Sequence, residues 1–353
     1  MFHCSFATEN IAFRGAVTGL AGLMAGSALM ALAARPAQAQ VVIRTANAAT
    51  AVTSVTAVTA ASASTLTRTI SAPPGVLAIG STRSTVAAAA LGLTPCQPSG
   101  KGRDFPVGPG LAYTTLDQVP WESLKAGDTV RIHPAPTPYR GKFAIVAQGT
   151  ADAPVRICGV RGADGSRPVI DADGATTRAA LSGLYGSSTY ARDIHQDRSL
   201  IVIKSDPAQG WTAYPRHIRI DGLKITGAHP SRSFRNAAGA LRSYLPFGAC
   251  VWVERGHDIS IVDNEITDCQ MGVFSKSTDD GDFAVTRNLY IAGNRFAGHG
   301  IVGNVHQHST YTQSIGTVIE FNRYEPLRPG ALGNGVKDRQ TAQTRIEYAH
   351  CHD

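Results

Sequence analysis

Acidic residues are missing from one long stretch of this 353-residue chain: residues 10–103 contain no Asp or Glu. Within that stretch, residues 41–90 are mostly Ala, Thr, Ser and Val. Large apolar side chains are too few there to build a hydrophobic core, which excludes an independent folded domain. We therefore predict a low-complexity linker over residues 40–93 and a folded domain over residues 94–353.

Helical periodicity is also scarce. After residue 94 the apolar spacing of a helix never reaches two full turns, apart from a short candidate in TTLDQVPWESL, which begins at Thr114. Apolar runs of strand length, such as TVRI and FAIV, instead alternate with Gly, Pro and Asp turns. A helical bundle is excluded, and the pattern predicts an all-β domain.

The first 39 residues have the order of an export signal. Arg14 precedes an apolar run over residues 15–32, and the site Ala37-Gln38-Ala39 follows. This order predicts a signal peptide over residues 1–39 and a secreted or periplasmic protein. A transmembrane anchor is the alternative, but the run is short and rich in Gly and Ala. We expect no membrane span in the mature form.

Metal-binding cysteine motifs are absent, because no C-x-x-C spacing occurs. Five cysteines follow the predicted signal: Cys96, Cys158, Cys250, Cys269 and Cys351. An oxidising compartment permits disulfides, and Cys250 and Cys269 flank one repeat and are a candidate pair. A buried thiol at each position is the open alternative.

Recognised nucleic-acid motifs are absent too, although the net charge is +7. Removal of the predicted signal takes away Arg14, Arg35 and Glu9 and leaves +6. The basic residues are dispersed rather than clustered, so we predict no nucleic-acid partner. For an exported protein this balance favours an acidic glycan, with a merely solvated surface as the alternative.

A short motif recurs through the second half of the chain. IDGLKI begins at Ile220, IVDNEI at Ile261, IAGNRF at Ile291, IEFNRY at Ile319 and a weaker IEYAHC at Ile346. Strand-sized repeats of this period predict a solenoid in which each coil buries its inner face by stacking on its neighbours. With turns and no helix between them, the repeats predict a parallel β-helix.

One register position in the repeat carries an amide. Asn264, Asn294 and Asn322 hold it in three copies, while Leu223 and Ala349 replace Asn in the first and last. Stacked amides can hydrogen-bond along a solenoid, about 4.8 Å per coil. The chain ends directly after the last copy, so we expect an uncapped or truncated C-terminal coil.

These segments resemble the right-handed parallel β-helix repeat proteins of the pectin-lyase-like superfamily, in exported bacterial members. The resemblance covers about residues 104–348. VGPGLAYTTLDQVPWESLKAGDTVRI, followed by PYRG, looks like their opening; DISIVDNEI and NLYIAGNRF look like their coils; GNGVKDR looks like a Gly-rich strand with a basic pair. The fold hosts lyases, hydrolases, esterases and adhesins, so the resemblance specifies the fold more closely than the activity.

GNGVKDRQ, residues 333–340, is the chief candidate for chemistry. By strand alternation we expect an inward stack of Val273, Ile301 and Val336, which turns Lys337 and Arg339 outward. By analogy with superfamily lyases, the resemblance implies that Lys337 removes the proton beside a uronate carboxylate and that Arg339 binds the carboxylate. A carbanion at that position needs positive charge nearby. A solvated charged turn is the open alternative.

GNVHQHSTYTQS supplies further candidates one coil earlier. His308 and Tyr311 are assigned to catalysis, with Tyr311 as proton donor to the leaving oxygen. His306 shares a face with His308 in an extended strand, and it is assigned to substrate binding with the cations Lys276 and Arg323. Plain hydrogen-bonding loop residues are the alternative interpretation.

STDDGD brings together three carboxylates that suit a hard cation: Asp279, Asp280 and Asp282 are a candidate Ca²⁺ site, with a surface turn as the alternative. The Asp pair and the later GHG also resemble two short signatures of polygalacturonase-type hydrolases, without the flanking Asn-Thr-Asp and Arg-Ile-Lys. The sequence therefore predicts a monomeric protein that cleaves acidic polysaccharide by β-elimination. Hydrolysis and non-catalytic, adhesin-like glycan binding are the alternatives.

Overall fold

The computed structural model describes residues 6–8, 43–44, 91–185, 194–339, 345–347 and 350–351. Most of the predicted signal peptide (residues 1–39) and of the predicted linker (residues 40–93) lies outside these ranges. The part of the chain that is described has no helix with the length and apolar character needed to cross a membrane.

The domain is built from three sheets, whose strands are numbered here in chain order. Sheet A contains β1 (Phe6–Thr8), β5 (Gly141–Ile145), β8 (Ala175–Thr177), β9 (Ile201–Ile203), β12 (Ser233–Arg235), β13 (Leu241–Ser243), β14 (Val251–Val253), β17 (Val273–Ser275), β20 (Thr310–Thr312) and β23 (Val336–Asp338). Sheet B contains β2 (Ile43–Arg44), β3 (Asp104–Val107), β4 (Thr129–Ile132), β6 (Val155–Gly159), β10 (Arg216–Asp221), β15 (His257–Val262), β18 (Arg287–Ala292), β21 (Val318–Glu320) and β24 (Arg345–Glu347). Sheet C contains β7 (Val169–Asp171), β11 (Lys224–Thr226), β16 (Glu265–Thr267), β19 (Arg295–Ala297), β22 (Arg323–Tyr324) and β25 (His350–Cys351).

The helices are short. Of those in the described residues, five are 3₁₀ helices, Leu116–Gln118, Trp121–Ser123, Ala179–Leu181, Pro207–Gln209 and Asp282–Ala284, and two are short α-helices, Ser182–Tyr185 and Ile194–Arg198. The helix candidate at Thr114 is therefore a pair of 3₁₀ helices. Their Trp121 ring stacks on Phe143 at 3.7 Å and donates to the Leu116 carbonyl at 2.7 Å. These contacts cover the start of the core.

The strand order explains how the core is enclosed. From β14 onward the chain passes through sheets A, B and C in turn, and each new strand pairs in parallel with the strand of the previous circuit. This all-β arrangement with parallel sheets is consistent with a parallel β-helix. Among the described strands, β12 and β13 form the antiparallel pair.

The recurring isoleucines stand side by side in sheet B. Ile220 pairs with Ile261, Ile261 with Ile291, Ile291 with Ile319 and Ile319 with Ile346. Those whose burial is described are 0% exposed. Because side chains alternate along a strand, the same spacing places an isoleucine in the core in every circuit.

The predicted stack of amides is confirmed. Asn264 Nδ2 donates to Asn294 Oδ1 at 3.1 Å, and Asn294 Nδ2 donates to Asn322 Oδ1 at 3.0 Å. The residue before Asn264 and the residue before Asn294 have left-handed backbones, with φ of 54° at Asp263 and 64° at Gly293. This conformation turns the chain from sheet B into sheet C and directs each amide into the interior, where the three are almost fully buried.

Two disulfides fasten the described domain. The candidate pair Cys250–Cys269 is confirmed, and a second bond joins Cys96 to Cys158, which the sequence did not predict. The second bond ties the segment before β3 to β6. In the same segment Leu91 packs against Val262 and Ala292 on the outer side of sheet B. The described packing thus includes residues before the predicted boundary at residue 94.

The edges of sheets A and B beyond β23 and β24 are also paired. β1 runs parallel to β23, with Ala7 opposite Lys337, and β2 runs parallel to β24. The sequence led us to expect no cap at this end. Backbone segments from the N-terminal part of the chain occupy the edges of sheets A and B instead.

Candidate active site on sheet A

Four neighbouring strands of sheet A bring one aromatic–lysine row together. Trp252 of β14 pairs with Phe274 of β17, Phe274 pairs with Tyr311 of β20, and Tyr311 pairs with Lys337 of β23. The flanking positions, such as Val251 and Val273, point into the core. By alternation the row therefore lies on the opposite, outer side of the sheet.

Packing fixes the aromatic members of this row. The ring centroids of Trp252 and Phe274 are 4.2 Å apart, and those of Phe274 and Tyr311 are 5.3 Å apart. Phe247 lies across them, with its ring 5.3 Å from Phe274 and perpendicular contact to Tyr311. Edge-to-face pairs of this kind are favoured by the ring quadrupoles. Tyr311 is 6% exposed and is held in one place.

The Tyr311 hydroxyl meets the predicted cations. Arg339 Nη1 donates to the Tyr311 oxygen at 3.3 Å, and the Arg339 backbone N–H donates to the Thr312 carbonyl at 2.9 Å. Lys337 is the cross-strand neighbour of Tyr311, about 4.8 Å away along the sheet. The structure thus places three of the four predicted catalytic residues, Tyr311, Lys337 and Arg339, on two neighbouring strands, and the fourth, His308, is described below.

Asp338 lies on the other side of the strand from this group. Its carboxylate is 3% exposed and accepts a hydrogen bond from Thr312 Oγ1 at 2.7 Å. Val336, also buried, shares that inner side. The outward placement of Lys337 is therefore as expected, and the negative charge between the two cations is turned away from them.

The expected inward stack contains one error. Val273 pairs with Thr310, and Thr310 pairs with Val336. Ile301 is instead a half-buried loop residue. The GHG before it begins a turn in which His299 is buried and contacts the Ile266 carbonyl at 3.0 Å. The longer connection in this coil moves the strand nine residues later than the Gly-x-Gly pattern indicated.

His308 completes the group from beneath Tyr311. Its ring is 5.3 Å from the Tyr311 ring and perpendicular to it, and its Nδ1 accepts the Asn334 backbone N–H at 2.9 Å. Because Nδ1 accepts this hydrogen bond, the proton of the neutral imidazole lies on Nε2. Burial lowers the pKa of His308 to about 4, and the charges of Lys337 and His306 act in the same direction. His308 is therefore neutral at neutral pH, while His306 lies in the exposed loop beside it.

The buried histidines predict a loss of stability in acid. Burial lowers the pKa of His299 to about 4, as it does for His308, whereas an unfolded histidine titrates near about 6.5. Between these two pH values the unfolded chain binds more protons than the folded one. The free energy of unfolding should therefore fall as pH drops through this window, by up to about 1.4 kcal/mol per pH unit for each histidine.

Urea unfolding at constant ionic strength measures this slope. His308→Gln should give a shallower dependence on pH than the wild type, and His217→Gln, at a partly exposed histidine of sheet B, serves as the control. Identical slopes for wild type and His308→Gln would contradict the assignment of a buried neutral imidazole.

A charged row runs beside the aromatic–lysine row. Lys204, Glu254 and Lys276 directly follow the paired residues Ile203, Val253 and Ser275 in three neighbouring strands, and form the charged row. Lys276 Nζ lies 2.8 Å from Glu254 Oε1, and Trp252 Nε1 donates to Glu254 Oε2 at 3.0 Å. Burial, opposed by the Glu254 charge, lowers the pKa of Lys204 to about 8.

Sequence reasoning found Lys276 but missed its neighbours. Glu254 forms the ion pair with Lys276, and the Arg198 guanidinium lies 5.9 Å from the Trp252 ring. VWVE and VFSK have the same length and end at the same strand position, so their alignment was the available signal. Arg198 carries no such signal, because it reaches the sheet from a separate helical turn.

Two predicted groups lie elsewhere. Arg323, predicted to bind substrate, is exposed on sheet C and pairs with Glu325 at 2.9 Å. It therefore does not lie on sheet A with the aromatic–lysine row. Asp280 accepts from Thr278 at 2.6 Å, and Asp282 is paired with Arg287. The described residues contain no group of three His, Cys, Asp or Glu side chains placed to hold a metal ion. The Ca²⁺ prediction from Asp279, Asp280 and Asp282 does not fit this arrangement.

Distant structural similarities to solved structures include those with two crystal structures. The first is with the crystal structure of Escherichia coli YbhC: 13% identity, a TM-score of 0.38, and coverage of 74% of this chain and 66% of that chain. The second is with the crystal structure of an alginate lyase from Paenibacillus sp. strain FPU-7: 12% identity, a TM-score of 0.28, and coverage of 66% and 95%. The chain thus spans just under two thirds of YbhC. No protein-family model matches the sequence, and no curated protein matches it.

Proposed function

We propose that this protein is an exported, right-handed parallel β-helix that cleaves an acidic, uronate-containing polysaccharide by β-elimination. The observation that carries the proposal is the group formed by Tyr311, Lys337 and Arg339 on the outer face of sheet A. It places a base, a proton donor and a fixed cation on two neighbouring strands of one sheet face. The signal peptide over residues 1–39, whose removal takes β1 away from the edge of sheet A, and a monomeric domain over residues 94–353 belong to the same proposal.

Elimination needs three tasks that these side chains divide. Lys337 Nζ accepts the proton from C5, beside the uronate carboxylate. The C5–H electron pair forms the C4=C5 double bond, and the bond from C4 to the glycosidic oxygen breaks. Tyr311 donates its phenolic proton to that leaving oxygen, and the proton taken up by Lys337 returns through water to the Tyr311 oxyanion. General acid–base groups in such positions contribute rate factors of about 10²–10⁴.

The cations stabilise the charge that develops. Arg339 contacts the Tyr311 oxygen at 3.3 Å, so it can stabilise the phenolate and the uronate carboxylate together. The Asp338 carboxylate, which would weaken the positive electrostatic potential of Lys337 and Arg339, is buried on the other side of the strand. His308 is nearly fully buried and acts as a positioning residue that holds the Tyr311 ring. His306 and Lys276 lie where they can bind neighbouring sugars of the polysaccharide.

A second candidate is glycan binding without cleavage. The burial of Tyr311, at 6% exposed, favours it, because little of the phenol reaches solvent. A β-helix face can bind a polysaccharide through its exposed cations without reaction. Polygalacturonase-type hydrolysis has less support, since Asp280, one of the adjacent pair Asp279 and Asp280, is held by Thr278.

An assay of two products separates these functions. The purified protein is incubated with alginate, pectate and glycosaminoglycans, and both the ultraviolet absorbance of unsaturated uronates and new reducing ends are followed. Elimination predicts equal growth of both signals on at least one polymer. New reducing ends without absorbance would indicate hydrolysis, and binding with neither signal would support the non-catalytic function.

A further inference from the structure

We infer that Trp211 is a sugar-stacking platform that binds an acidic sugar of the polysaccharide outside the reacting group. The inference rests on the proposed function, from which it takes its class of ligand, an acidic polysaccharide. Trp211 is 53% exposed, whereas the other two tryptophans of the chain, Trp121 and Trp252, are 0% and 2% exposed. A large aromatic ring left in solvent raises the question of what covers it.

The Trp211 ring is fixed rather than free. The Arg255 guanidinium lies 5.0 Å from its centroid, and Phe283 packs edge-on against it with the centroids 6.1 Å apart. Arg255 also lies 5.2 Å from the Phe283 ring and donates from Nη1 to the Trp211 carbonyl at 2.9 Å. The cation covers one face of the indole, and the exposure leaves the other face open to solvent.

The backbone that carries Trp211 is also ordered. Asp206 accepts the Ala208 N–H at 2.9 Å and begins a 3₁₀ helix, and the Ala213 N–H then donates to the Gly210 carbonyl at 3.2 Å. Trp211 stands within this last turn. A platform that is already in its bound geometry loses little conformational entropy when a ligand stacks on it.

The chemistry of the platform selects its ligand. A pyranose presents a face of C–H bonds with small positive partial charges, which suits the negative face of an indole. Arg255 is 7% exposed and lies behind that indole, and the charges of Glu254 and Asp280 act on it, so the geometry selects a stacked sugar ring rather than one sign of charge. The proposed function makes that ring an acidic sugar, and neutral sugars are the comparison.

The platform also lies beside the charged row. Arg255 directly follows Glu254, whereas Lys337 is three strands farther along sheet A. Strands in a sheet are about 4.8 Å apart, which puts about 14 Å along the sheet between the platform and the reacting group. The platform therefore binds a sugar that lies several sugar units away from the glycosidic bond that breaks.

Acrylamide quenching of tryptophan fluorescence tests the inference directly, because Trp211 is the tryptophan that solvent reaches. Polyuronate should protect the full chain from quenching, and neutral polysaccharide is the comparison. Lys337→Ala is used as the background, so that cleavage does not consume the ligand. Unchanged quenching at saturating polyuronate would overturn the inference.

Variants then measure the contribution to affinity. Trp211→Ala should weaken polyuronate binding about tenfold or more in gel retardation, and Trp211→Phe should restore most of it. Leu241→Ala, at an exposed apolar residue on β13, is the matched control and should bind as the wild type does. Equal affinity of Trp211→Ala and wild type for polyuronate overturns the platform. Absence of elimination in the wild type, with binding that depends on Trp211, would reject the lyase and keep the platform.

Discussion

Lys337→Ala should lower the rate of elimination by about 10²–10⁴-fold, because it removes the base that accepts the C5 proton. The side chain lies on the outer face of sheet A beside Tyr311, and it contributes little to the core. The free energy of unfolding should therefore change by less than about 1 kcal/mol. Initial rates on the most reactive polyuronate, together with urea unfolding of the same sample, measure both quantities.

Lys224→Ala provides the control for this substitution. Lys224 is a partly exposed lysine of sheet C, paired with Glu265 at 2.9 Å and remote from the proposed reacting group. Its loss should leave the rate within about twofold, since an exposed ion pair contributes little. Retention of full activity by Lys337→Ala would remove the lysine from the mechanism.

Asn294→Ala should lower the free energy of unfolding by about 4 kcal/mol, the largest effect we expect from a single change outside the active group. Asn294 Nδ2 donates to the Ile261 carbonyl at 2.8 Å and to Asn322 Oδ1, and Asn294 Oδ1 accepts from the backbone and side chain of Asn264. Truncation leaves several buried polar groups without partners at once. Each of these costs about 1–3 kcal/mol, and water has no access to replace the amide.

Asn304→Ala is the control for the amide stack. The Asn304 side chain accepts one hydrogen bond, from the His306 N–H at 2.8 Å, in a partly exposed loop. Its loss should cost about 1 kcal/mol or less. Chemical denaturation compares the two variants, and a similar small loss for both would show that the stacked amides do not hold neighbouring coils together.

Much of the scaffold could be predicted because its physics is local and periodic. A strand that repeats one isoleucine position must place it on the same side each time, and Ile261, Ile291 and Ile319 do pair in that register. Asn294 could be placed in a stack for the same reason. The side of the strand on which Lys337 lies follows from the alternation around Val336.

Connections between strands could not be predicted in the same way. Ile301 follows a Gly-x-Gly pattern but lies in a loop, because the length of a turn is set by what it packs on, here the buried His299. The cluster of acidic residues from Asp279 to Asp282 looked like a cation site. Ion pairs within the chain, such as that between Arg287 and Asp282, hold its carboxylates in separate contacts. Arg198 reaches the Trp252 ring only through tertiary packing.

Mass spectrometry of the products tests the central claim most directly. Oligosaccharides released from the most reactive polyuronate should carry an unsaturated ring at the new non-reducing end, and each should be lighter by one water than the corresponding hydrolysis product. Saturated oligosaccharides of the heavier mass, or polymer that stays intact while it binds the protein, would contradict β-elimination by Lys337, Tyr311 and Arg339.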